Sequence, residues 1–98
     1  MNKFMVTMSF PPFLTDEFVA LIPRQRAMIV QLLSNGKLTN FSLNDQRSNA
    51  WMVINAKSEQ EVEELLARFP LHDFFDYEIH TLVVHDTAFM GLPKVVLN

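Results

Sequence analysis

RFPLHDFFDYEIHTLVVH, residues 68–85, decides how the rest of this chain is read. It holds the only tyrosine and all three histidines of the sequence. A helix is expected to end at Phe69-Pro70, because proline has no N–H with which to continue it. A strand is expected from Phe74 to His85. Alternation puts Phe75, Tyr77, Ile79 and Val83 on one face, and Asp76, Glu78, His80, Leu82 and Val84 on the other. His72 and Asp73 read as turn chemistry between helix and strand.

Upstream, Ser58 and Glu61 form a capping box that opens the helix closed at Pro70. Val62, Leu65, Leu66 and Phe69 sit at inward spacing on it. Ala50 to Ala56 reads as a strand with an unbroken apolar run from Trp51 to Ile54, the pattern of burial on both faces. Residues 44–49 are turn chemistry, and Lys37 to Leu43 is the strand before them. In a regular strand Leu38 faces away from Phe41 and Leu43.

Thr15 is an N-cap for a helix reaching about Asn35, with Asp16 and Glu17 at its positive end and Gly36 past its close. Leu14 and Val19 stand at staple spacing across the cap. Phe18, Leu21, Ile22, Met28, Ile29, Leu32 and Leu33 form its apolar stripe. Pro23 removes the bond to the carbonyl of Val19 on the opposite side. Gln25 falls in the middle of the stripe and so points inward, flanked by Arg24 and Arg26. A buried amide needs partners; Thr7, Ser9 or a bound ligand are expected to supply them. Lys3 to Phe10 is the first strand, uncharged on both faces beyond Lys3 and stopped by Pro11-Pro12.

The order β-α-β-β-α-β is an α+β, ferredoxin-like unit with an antiparallel sheet in the order 4-1-3-2 and both helices on one face. Residues 1–86 make the domain. Residues 87–98 are expected to be an apolar arm docking on a neighbouring subunit, since six large apolar side chains there are costly in water. The helix-free sheet face needs a cover, and a second copy would supply it as a dimeric α/β barrel.

Composition narrows the function. The chain has 98 residues, of which 49% are apolar and 19% charged, with a net charge of −3. That balance offers no basic field for nucleic acid. No cysteine occurs, which excludes disulfides and thiolate chemistry and suits the cytoplasm. No apolar run is long enough to span a membrane. Two glycines leave no Gly-rich phosphate cradle. Asp76, Glu78 and His80 alternate on one strand face at steps of about 6.6 Å, too far apart to hold one ion without another ligand. No metal or other cofactor is therefore expected.

Within residues 70–85, Pro70, Leu71, Phe74, Asp76, Glu78, Ile79, Leu82 and His85 resemble a run in the muconolactone isomerases: P-L, an aromatic, D-x-E-I, a leucine and a histidine. The start FMVTMSFP resembles that family's first strand, and Gly36 matches the glycine closing its first helix. The resemblance covers residues 3–86. It implies a ferredoxin-like fold that pairs into barrels, and chemistry that shifts a carbon–carbon double bond in a carboxylated lactone. Such a shift needs a positioned acid/base and no metal or redox cofactor. The family's carboxylate, eleven residues before that glycine, falls here on Gln25, and its neighbouring basic position falls on Arg26. An amide is no general base near neutral pH.

Three functions follow. The first is an isomerase-like enzyme in which Arg24 or Arg26 binds a substrate carboxylate and Glu78, Asp76 or His80 replaces the missing base. The second is a non-catalytic binder of a small ligand, or an assembly protein. The third is a cofactor-free monooxygenase-like enzyme, by analogy of fold.

Overall fold

The computed structural model describes residues 1–88. Residues 89–98, which carry most of the expected docking arm, lie outside the described residues. The elements are β1 (Asn2–Ser9), α1 (Asp16–Ser34), β2 (Leu38–Leu43), β3 (Asn49–Ala56), α2 (Glu59–Ala67), a 3-10 turn (His72–Phe74) and β4 (Asp76–Leu82). The strands form one antiparallel sheet in the order β2-β3-β1-β4. This is the ferredoxin-like α+β arrangement expected from the element order.

Both helices cover one face. Phe4, Val6 and Met8 of β1 and Ala50, Met52 and Ile54 of β3 are buried with Phe18, Ile29 and Leu32 of α1 and Val62, Leu65 and Leu66 of α2. The opposite face has no helix. There Met5 of β1 lies between Val53 of β3 and His80 of β4, and Thr7 lies between Trp51 and Glu78. Val53 is fully buried by its neighbours, while Trp51 remains 38% exposed.

The helix ends are closed by side chains. Thr15 Oγ1 accepts from the Phe18 N–H at 3.1 Å, and Gly36 takes the left-handed φ of 81° past the helix. Leu14 and Val19, at staple spacing across the cap, are each 49% exposed. On α2, Ser58 Oγ accepts from the Glu61 N–H at 3.2 Å. Glu61 reaches one residue further back than a standard capping box, accepting from the Lys57 N–H at 2.7 Å and pairing with Lys37 at 3.3 Å. The Lys57 N–H is the main cause that holds the Glu61 carboxyl below its ordinary range; desolvation opposes it, and Lys37 adds to the lowering.

Two expectations are corrected. The last strand is shorter than the span from Phe74 to His85. Its partner β1 pairs Lys3 with Leu82 and begins at Asn2, so the ladder runs out; Val83 beyond it is 98% exposed. The second correction concerns β2. Its register shifts between Leu38 and Asn40: Leu38 pairs with Ile54 and Asn40 with Val53, one extra residue on β2. This bulge resets the alternation. Phe41 then pairs with Met52 and Leu43 with Ala50, so Leu38, Phe41 and Leu43 share the helix-covered face.

Candidate functional site

The apolar stripe of α1 does not stop at the sheet. Near the start of the helix it borders a cavity of about 300 Å³, at the small end of ligand pockets. Phe18, Ile22, Gln25 and Arg26 enter it at helical spacing. Leu14 precedes them and also lines the cavity. Phe41 and Leu43 of β2, Phe10 after β1, Leu71 and Arg47 of the β2–β3 turn complete the lining. The bulge in β2 is what brings Phe41 and Leu43 to this side.

Aromatic rings stiffen the far wall. Phe10 packs edge-on against Phe18 and Phe75 at 6.0 Å each, and Phe18 meets Phe74 at 5.5 Å. Phe74 and Phe75 belong to the stretch that follows Pro70, so that stretch backs the cavity as well as forming the outer strand.

Gln25 is 8% exposed, the single buried polar residue among the described residues. Its Oε1 accepts from the backbone N–H of Leu71 at 3.1 Å. The partner is therefore the start of the last stretch. The expected partners Thr7 and Ser9 lie on the helix-free face, where they pair beside Glu78 and Asp76. With Oε1 engaged, the amide nitrogen makes no hydrogen bond to the described protein, which leaves its N–H groups for water or a ligand. Arg26 sits next to it, with its guanidinium carbon 6.0 Å from the centre of the Phe41 ring. Neither Arg26 nor Arg47 has a carboxylate partner among the described residues, and no acidic side chain lines the cavity. The charged side chains that line it are both arginines, although the chain is acidic overall.

The other candidate residues fall elsewhere. Arg24 is exposed and does not line this cavity. Asp76, Glu78 and His80 are exposed on the helix-free face of β4. Within one protomer the sheet separates them from Gln25 and Arg26, so the expected pairing of an arginine with a replacement base from β4 is not assembled. Among the described residues no group of His, Cys, Asp or Glu could hold a metal ion. No helix among them is long and apolar enough to cross a membrane.

The domain is ferredoxin-like α+β, with an apolar cavity lined by a buried amide and two arginines. The family model described as muconolactone delta-isomerase matches residues 3–88, and the chain belongs to that family. Comparison with curated protein sequences gives no match. Among solved structures, the crystal structure of muconolactone isomerase is similar with a TM-score of 0.71 and 18% identity, over 88% of this chain and 93% of that one. The 5-chloro-2-hydroxyhydroquinone dehydrochlorinase of Burkholderia phenoliruptrix AC1100, in complex with 2,5-dihydroxybenzoquinone, follows at 0.61 and 14%, over 86% and 95%. These identities establish a shared fold.

Proposed function

We propose that this chain is a muconolactone isomerase-like protein that binds a small carboxylated unsaturated or lactone-type ligand between α1 and β2, without efficient proton transfer. The observation that carries the reading is the adjacency of Gln25 and Arg26 at an apolar cavity with no acidic lining. Apolar walls take the ring of such a ligand, and the Arg26 guanidinium takes its carboxylate as a charge-assisted pair. The free N–H groups of Gln25 donate to a ring oxygen. An amide neither removes nor returns a proton near neutral pH, so the double-bond shift lacks its acid/base on this side of the sheet.

The same reading includes a homodimer through the helix-free face, and a cytoplasmic setting suited to a cysteine-free chain. Trp51, half-open among Met5, Thr7 and Ser42, supports that face as one a second copy covers. Light scattering at micromolar concentration should report the dimer; a stable monomer would count against it.

Calorimetric titration with muconolactone tests the pocket. The natural protein should bind it, and Arg26→Gln should weaken binding about tenfold, as expected for losing a charged hydrogen bond at a partly exposed site. Equal affinity in the two proteins would remove Arg26 from the site.

A further inference from the structure

Arg47 has a φ of 59°, and it is the single non-glycine with positive φ among the described residues. That region suits glycine, asparagine or aspartate; a long side chain is uncommon there. The turn does not need this side chain. Asn44 ties the turn together: its Oδ1 accepts from the N–H groups of Ser48 at 2.9 Å and Asn49 at 3.0 Å, and its carbonyl accepts from the Arg47 N–H at 3.0 Å. Every one of these bonds uses the backbone of residues 47–49, and glycine at position 47 would keep them all. A residue that the backbone disfavours and the turn does not require is a candidate for function.

The side chain itself lines the cavity with Arg26. The two guanidiniums come from separate elements, one from α1 and one from the β2–β3 turn. The Ser48 carbonyl accepts from the Phe10 N–H at 2.8 Å, which fastens the turn to an aromatic wall of the same cavity. Arg47 is thus carried on a braced support, as a binding residue should be.

We propose that Arg47 is a second anion-binding residue of this pocket and sets its preference for the free acid over a neutral ligand. The proposal rests on the reading that a carboxylated ligand occupies the cavity. A planar fork of donors on each side suits the oxygens of one carboxylate, and a neutral ester or amide gains nothing from a second cation. The bland alternative is a solvated arginine in a turn that tolerates it.

The two accounts differ for Arg47→Gly. Glycine accepts the left-handed backbone, so the thermal midpoint should stay or rise. Affinity for muconolactone should fall about tenfold, while affinity for its methyl ester stays unchanged. Arg47→Lys should recover part of the loss, as a point charge without the fork. Unchanged affinity for the acid in Arg47→Gly, with Arg26→Gln still impaired, overturns the role of Arg47 and leaves the pocket reading standing. Failure of the natural protein to bind muconolactone overturns both.

Discussion

Gln25→Glu should gain lactone isomerisation by about 10²–10⁴-fold over the natural protein, the usual span of general acid–base catalysis. The two side chains have the same shape. Glutamate keeps the acceptor that Gln25 offers to the Leu71 N–H, now as a charge-assisted bond. Its second oxygen replaces the unpartnered amide nitrogen at the cavity. The carboxylate then stands beside Arg26, the residue proposed to hold the ligand carboxylate. Turnover of muconolactone by the natural protein, Gln25→Glu and Gln25→Ala is the measurement. The alanine variant should stay inactive and lose about 1–3 kcal/mol of stability, because it leaves the Leu71 N–H buried without an acceptor. Efficient turnover by the natural protein, unaffected in Gln25→Ala, would place the proton transfer at another residue.

Ile54→Ala should destabilise the fold by about 2–5 kcal/mol. Ile54 is fully buried on central strand β3, between Phe4 of β1 and Leu38 of β2. Paired strands hold it on both sides, so the space left by truncation cannot easily be refilled. For a domain of this size, each kcal/mol lowers the melting midpoint by roughly 4–8 °C. Val83→Ala is the control: at 98% exposure it should stay within about 0.5 kcal/mol. Similar midpoints for the two variants would mean that the sheet–helix interface is not the core.

Much of this was legible in the residues themselves. Strand alternation and capping side chains located the four strands and two helices, and Gln25 read as inward-facing because it interrupts an apolar stripe. Its partner did not. The Leu71 N–H is a backbone group brought in by tertiary packing, and no side-chain pattern marks it. The β4 residues looked available for catalysis because sequence alone does not say which face of a sheet the pocket occupies. Pairing settles that: Thr7 and Ser9 carry Glu78 and Asp76 to the side without helices. Strand β4 also ended early for a reason that lies in β1. Arg47 left no trace, since a left-handed backbone at a residue other than glycine has no signature in composition. Phe41 was placed on the wrong side by strict alternation, and only the bulge corrects it.

That bulge also bears on which changes of length the chain can absorb. Thr39 is the extra residue between Leu38 and Asn40. Deleting it would leave Leu38, Asn40, Phe41, Ser42 and Leu43 in strict alternation, with Leu38, Phe41 and Leu43 still on the helix-covered face, whereas deleting Thr39 and Asn40 together would turn Phe41 and Leu43 away from α1 or force Leu38 out of the core. There is no half-step between these outcomes, because facing has only two values. The ring beneath Arg26 and one wall of the pocket therefore depend on the parity of a three-residue count in an edge strand. A substitution at Thr39 is a surface change, and its loss alone keeps Phe41 and Leu43 on the cavity side. Shortening by one residue here and shortening by two are thus different kinds of event: loss of the extra residue keeps the facing of Phe41 and Leu43, and a two-residue loss reverses it.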